Sequence, residues 1–419
     1  MRLLYRLALY LSAPLVSLVF LWRGLRDRSY WRNFGERFGL GTPGPPGGIW
    51  LHAVSVGEVQ ACSPLVHALR RRHPDLPVTV TTFTPTGAAR ARALFEDSAR
   101  VRYVPFDLPG AVRRFLRRVQ PRLAVIFETE LWPNLYRECA RQRVPLVLAS
   151  ARLTARSAAR YRRLGRLFAD TLAVARVIAA QAPRDAERFR SLGADPQHTH
   201  VTGNLKFDFE LPADIAVRGA ELRARYAAGR ALWVAGSTHA GEEETLLRAQ
   251  RLLLQRRPGS LLVLAPRHPP RFAEVAQRLT REGFRSARRS TGAGAADADC
   301  EVLLLDTLGE LLTFYAAADV AFVGGSLVPI GGHNLLEPAA LGVPVLTGPF
   351  HSNSEDAARL LEAAGALQVI RDAGELAARL EGLLSDAAER QRRGAAARAS
   401  VAANRGALEK LLSLIEPLL

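Results

Sequence analysis

The sequence predicts an α/β protein built from two consecutive doubly wound parallel sheets, and three observations predict it. At 419 residues the chain is too long for one ordinary domain. Short apolar runs alternate with longer stretches that carry apolar residues at helical spacing and arginines on the other face, which is the pattern of βαβ units. That alternation lapses once, around Lys206 to Arg218, in the polar, proline-containing NLKFDFELPADIAVR.

The elements follow in order. Residues Leu7 to Trp22 form an uncharged run between Arg6 and Arg23, sixteen residues with Pro14 in the middle. Spanning a bilayer takes roughly 20 residues, and flanking arginines extend the run by snorkelling. No small-residue cleavage site follows, so the run is expected to stay as a membrane anchor or an in-plane helix rather than a removed signal. A buried amphipathic helix of the first domain is the competing reading. The basic RGLRDRSYWR beyond the run favours a cytoplasmic body. After the Pro/Gly-rich break Gly41–Gly48, the runs beginning at Ile49, Val78, Val101, Leu123, Val144, Val177 and His200 read as strands of a first sheet. A second series, LWVAGST, SLLVLAPRH, EVLLLDT, VAFVGGS, PVLTGP and LQVI, reads as a second sheet. The expected divisions are an anchor and basic segment (1–40), a first domain (41–205), a linker (206–230) and a second domain (231–419). Ligands of such sheets bind beyond the carboxyl ends of the strands, and two facing sheets would enclose an interdomain cleft.

Composition narrows the partners. With 48% hydrophobic and 23% charged residues the chain is neither disordered nor collagen-like. A net charge of +17 favours anionic partners, although arginine supplies nearly all of it, since Lys206 and Lys410 are the only lysines. Nucleic acid is not expected: the arginines are spread over helical faces of both halves, and no recognition motif interleaves aromatics with them. Cys62, Cys139 and Cys300 lie far apart and show no metal-ligand spacing, which fits a reducing compartment. The one Asp-x-Asp, Asp297 to Asp299, sits in an Ala/Gly-rich loop before a strand rather than after one, so no metal is expected. The histidines His52, His239, His268, His333 and His351 near proposed strand ends are read as hydrogen-bonding residues rather than ligands.

Two stretches carry chemistry. In FVGGSLVPIGGHNLLEPAALGVPVLTGP a strand runs into the glycine pairs Gly324–Gly325 and Gly331–Gly332 and then into a helix expected to open near His333–Asn334. Glycines admit close backbone approach and helix amino termini present free N–H groups, which together suit a phosphate. Glu337 lies one turn on, where a carboxylate can accept ribose hydroxyls. The spacing is neither a dinucleotide fingerprint nor a P-loop. In WLHAVSVGEVQA, Glu58 follows a Ser-Val-Gly turn at a strand's carboxyl end, and FETELWPNL brings Glu128 and Glu130 to the same edge. Two acidic turns at one edge suit acid–base work.

The glycine-rich stretch with GVPVLTGP resembles the nucleotide-binding half of GT-B glycosyltransferases. Taken in order, HAVSVGEVQA, ETELWPN, GNLKFD, GSTHAGEEE, APRHPPRF, DTLGEL and GGHNLLEPAALGVPVLTGP are similar to the 3-deoxy-D-manno-octulosonic acid (Kdo) transferases of the lipopolysaccharide pathway. The resemblance implies an inverting enzyme of two Rossmann-like domains, the first binding the acceptor and the second the CMP-sugar. It implies CMP-Kdo as donor, a lipid A precursor as acceptor, the cytoplasmic face of the inner membrane as location, and no cofactor. By the matching blocks, Glu58 is the general base, and Glu128 and Lys206 stabilise charge. CMP contacts fall on Pro266, Arg267, Leu308, Gly309, Glu310, Asn334, Leu335, Leu336 and Glu337. The chemistry is consistent with that. Inversion needs one base on the acceptor hydroxyl, and CMP leaves readily if its phosphate meets cations and N–H groups. Arg267 and Lys206 suit the donor's phosphate and carboxylate. A lipid-linked sugar transferase of the same fold with a UDP-sugar donor is the alternative, distinguished by preferring UDP to CMP.

Overall fold

The computed structural model describes residues 1–292 and 299–419, so Asp297 of the Asp-x-Asp pair lies outside the described residues. The chain forms two compact units, one of residues 1–209 and 404–419, the other of residues 210–403.

In the first unit the strands are β1 (Ile49–His52), β2 (Val78–Thr82), β3 (Arg100–Tyr103), β4 (Leu123–Phe127), β5 (Leu146–Ala151), β6 (Val177–Ala180) and β7 (Thr199–Val201). They pair in parallel in the order β3-β2-β1-β4-β5-β6-β7. Helices cover both faces, so successive strand residues enter opposite cores. Ile49 and Leu51 pack in one cluster with Val125 and Leu65, while Trp50 packs in the other with Ile126 and Phe115. This is why the strands read as continuous apolar runs rather than alternating ones.

The second unit repeats the plan with β8 (Leu232–Thr238), β9 (Leu261–Pro266), β10 (Ser286–Arg288), β11 (Val302–Leu304), β12 (Val320–Val323), β13 (Val345–Thr347) and β14 (Leu367–Val369). Their order is β10-β11-β9-β8-β12-β13-β14, again parallel. In each sheet the winding reverses beside the first strand, between β1 and β4 and between β8 and β12. Loops leaving the carboxyl ends there diverge and open a crevice.

The structure divides the chain differently from the sequence boundaries. Residues Ile215–Ala227, assigned to a linker, form a helix of the second unit. It lies so close to the helix Leu311–Ala317 that a side chain on Gly219 would meet Ala316 Cβ at 2.7 Å. The last residues return to the first unit. Leu411, Leu412 and Ile415 of the helix Ala407–Ile415 join its core, and Asp208 accepts hydrogen bonds from the Gly406 and Leu408 N–H groups at 2.6 and 2.7 Å. One carboxylate thus caps the closing helix of the unit. The amino-terminal helix, Arg2–Arg26, is nine residues longer than the uncharged run and holds Pro14 inside it; it is long and apolar enough to cross a membrane.

Candidate active site

In the first unit, β1 runs through Ala53 and Val54 into Ser55, which caps the helix Val56–Arg72. Ser55 Oγ accepts the Glu58 N–H at 3.4 Å, and the Glu58 carboxylate reaches back to the Val54 N–H at 2.8 Å and the Ser55 hydroxyl at 3.2 Å. This variant of a capping box explains why a glutamate sits there, independently of catalysis. Its electrostatics go beyond a cap. Burial, then the neighbouring Glu128 carboxylate, push the Glu58 carboxyl up to about 7 against the opposing Val54 N–H, and Glu130 adds to the rise.

Glu128 follows β4 with a left-handed backbone, φ 54°, a conformation costly for a glutamate. Its N–H donates to the Ala149 carbonyl at 3.0 Å, and its carboxylate accepts from Lys206 Nζ at 3.2 Å. Lys206 is held by a 3-10 turn over Leu205–Phe207. The Asn204 side chain accepts the Lys206 N–H at 3.0 Å, and the flanking Leu205 and Phe207 are buried. Glu130 accepts from Trp132 Nε1 at 2.7 Å, and burial raises its carboxyl. Glu58, Glu128 and Lys206, far apart in sequence, therefore form one group at the β1/β4 reversal. Three carboxylates share it with a single ammonium, an arrangement that can take up a proton at one acid while pairing another.

His52 shapes this edge rather than ligating. It is fully buried at the end of β1, its Nδ1 lies 3.0 Å from Thr81 Oγ1, its ring contacts Trp132, and burial lowers its pKa to about 4. Sequence reasoning missed Ser150. It is buried in a bulge of β5 with φ 49° and held by Gln181 Nε2, which donates to its carbonyl at 2.9 Å. Bulges and left-handed residues gather at working edges of sheets, but only the backbone reveals them.

In the second unit Pro266 ends β9, and the Arg267 N–H donates to the Thr238 carbonyl at 2.9 Å, leaving its side chain exposed. Leu308 is exposed and Gly309 has φ 85°. Glu310 is not free: Arg289 donates to it at 2.7 Å and the Thr307 hydroxyl also binds it. The helix expected near His333–Asn334 begins at Leu336 and ends at Ala340. Asn334 Oδ1 accepts the Leu336 N–H and Asn334 Nδ2 donates to Glu337, both at 3.1 Å, while burial raises the Glu337 carboxyl. Leu335 and Leu336 are buried, so only their backbones can meet a ligand.

The first glycine pair differs from expectation. Glu242, fully buried, accepts the N–H groups of Gly325, Ser326 and Leu327 at 2.7–2.9 Å and that of His239 at 2.9 Å. A protein carboxylate already fills the anion nest at the end of β12, so these N–H groups are not open to a phosphate. Beside it, His239 and His333 stack with Nε2 atoms 2.8 Å apart, and His268 packs edge-on against His239. Burial, reinforced by His239 and Arg267, lowers the pKa of His333 to about 4. Among the described residues no group of His, Cys, Asp or Glu is arranged to hold a metal.

Comparison with known proteins places the chain. The family described as 3-deoxy-D-manno-octulosonic-acid transferase (kdotransferase) matches residues 32–209. The 3-deoxy-D-manno-octulosonic acid transferase of Haemophilus influenzae is 40% identical over all of this chain and 99% of its own length. The Bordetella pertussis transferase is 41% identical over 98% of each. The chain belongs to the Kdo transferase family. Members of this family are glycosyltransferases. The fold is shared more widely. A UDP-GlcNAc 2-epimerase from Neisseria meningitidis is 12% identical with a TM-score of 0.60, covering 88% of this chain and 100% of its own. One from Listeria monocytogenes is 16% identical with a TM-score of 0.57, covering 89% and 96%.

Proposed function

We propose that this Kdo transferase moves Kdo from CMP-Kdo to a lipid A precursor at the cytoplasmic face of the inner membrane, with Glu58 as general base. The observation that carries the reading is the Glu58 carboxyl, raised to about 7 at the β1/β4 reversal, where an acceptor hydroxyl would lose its proton. A base of that pKa is more proton-hungry than an ordinary carboxylate yet still about half ionised at neutral pH, the compromise general bases need. Lys206 holds Glu128 and offers positive charge to the donor's carboxylate as the bond to CMP breaks. Arg267 and the backbone at Asn334–Leu336 meet the CMP phosphate, and Glu337 the ribose. The bond from acceptor oxygen to the anomeric carbon forms as the bond to the phosphate oxygen breaks, so CMP leaves with the pair and Glu58 keeps the proton. The donor's carboxylate sets an electrostatic requirement, a cation near the anomeric centre, which Lys206 fits.

Mass spectrometry of products from CMP-Kdo and a tetra-acylated lipid A precursor tests the reading, and counts the Kdo units added. Mass added in Kdo steps, with CMP released, is the expected result. No Kdo adduct, or stronger thermal stabilisation by UDP than by CMP, overturns it.

A further inference from the structure

The helix Arg2–Arg26 is held by the first unit at both ends. Near its start, Tyr5 Oη donates to the buried Asp107 at 2.8 Å and Arg6 Nε to Asn134 Oδ1 at 3.2 Å. Near its end, Phe20 is buried against Phe83, Phe106 and the guanidinium of the fully buried Arg37, and a side chain on Gly24 would collide with Trp31. Tyr5 to Gly24 covers about 28 Å of helix axis at 1.5 Å per residue. The hydrocarbon core of a bilayer is about 30 Å thick. A helix spanning it while so held would drag Asp107, Asn134 and Arg37, with the sheet behind them, into hydrocarbon.

The opposite face is apolar and uncovered. Leu4, Leu7, Leu11, Leu15, Leu18 and Trp22 recur at spacings of three and four, one stripe of the helix, and Leu11 is 72% exposed. Cations sit at both ends of the stripe: Arg2 at the start, then Arg23, Arg26 and Arg28, all exposed, with the Arg26 guanidinium over the Trp22 ring. Beneath the first turns, Arg2, Arg6 and Arg137 line a basin of about 190 Å³, where Asp170 pairs with Arg2. Cations at both ends of one apolar stripe match a single charged surface along its length.

We propose that this helix lies in the plane of one anionic phospholipid leaflet, its stripe at the acyl boundary and its arginines among the headgroups, and does not span the bilayer. The inference rests on the membrane-associated reading above and sharpens it from attachment to orientation. It commits the first unit to ride against the leaflet along the whole helix, with the β1–β4 edge carried by the same body.

Depth measurement on the full chain tests this. The cysteines Cys62, Cys139 and Cys300 are buried, so single variants Leu7→Cys, Leu15→Cys and Trp22→Cys take a fluorophore selectively. Each labelled protein is mixed with phosphatidylcholine vesicles with and without phosphatidylglycerol, and quenched by lipids carrying spin labels at graded depths. Circular dichroism checks that each variant is folded. The expected result is one shallow depth for all three positions and binding at least about tenfold tighter to the anionic vesicles. A deep Leu15 between shallow Leu7 and Trp22 means a spanning helix and overturns the in-plane proposal alone. No binding to either vesicle, or burial of the stripe in a dimer instead, overturns the membrane reading and this proposal with it.

Discussion

Replacing Glu58 by glutamine removes a charge while keeping the shape of the side chain and an oxygen for the Val54 N–H, so its consequences for stability and turnover separate cleanly. In the folded protein the carboxyl titrates near 7, against an ordinary value of 4.5. Between those values the folded state holds a proton that the unfolded chain has released, so stability falls as pH rises through that window. Moving a carboxyl by that much costs the ionised folded state about 3 kcal/mol, and solvent reaching the partly exposed side chain trims it to about 2. Glu58→Gln removes the cost. The variant should be more stable than the parent by about 2 kcal/mol at pH 8, the difference shrinking below about 1 at pH 5. Urea unfolding at both pH values, followed by hydrogen exchange at β1 amides because the two units need not unfold together, measures it. Turnover should fall at least about 100-fold, the usual contribution of a general base, with CMP binding retained. A variant less stable at pH 8, or a difference that ignores pH, refutes the electrostatic reasoning; a variant that keeps most of its turnover refutes the base.

Glu128→Gln removes the like charge that helps raise Glu58, so the rising limb of kcat/KM against pH should move below its parent value. Lys206→Met frees that charge and should move the limb upward while lowering kcat, since the 3.2 Å ion pair is lost. Glu242→Ala strands three successive N–H groups at the end of β12 and should cost the second unit about 3 kcal/mol or more in urea unfolding. Asp208→Ala removes a helix cap and should speed hydrogen exchange across Ala407–Ile415, a loss of about 1 kcal/mol confined to that helix.

Thirteen strands were legible because both sheets are parallel and covered on both faces, which forces continuous apolar runs. The missed strand, β10, is an edge strand with the sequence Ser-Ala-Arg, and an edge needs no apolar run to pair on its one side. The misplaced boundaries have a similar cause. Ile215–Ala227 packs through a glycine against another helix, and the final helix joins a core laid down two hundred residues earlier. Neither association has a local signature. The glycine pair at 324–325 signals an anion nest correctly, but not that Glu242, eighty-three residues upstream, occupies it.

The sequence by itself determined the two parallel sheets, the family and the residues its motifs carry, because periodicity and motif spacing are local properties written along the chain. The tertiary structure decided three things. It gathered Glu58, Glu128 and Lys206 into one electrostatic group, raising one acid through burial and the charge of another. It filled the glycine nest with a buried carboxylate. It also fastened both ends of the apolar helix to one unit, which turns a stretch of spanning length into a surface with one uncovered side. Each depends on which distant groups share a low-dielectric space, and burial and charge proximity are fixed only once the chain has folded.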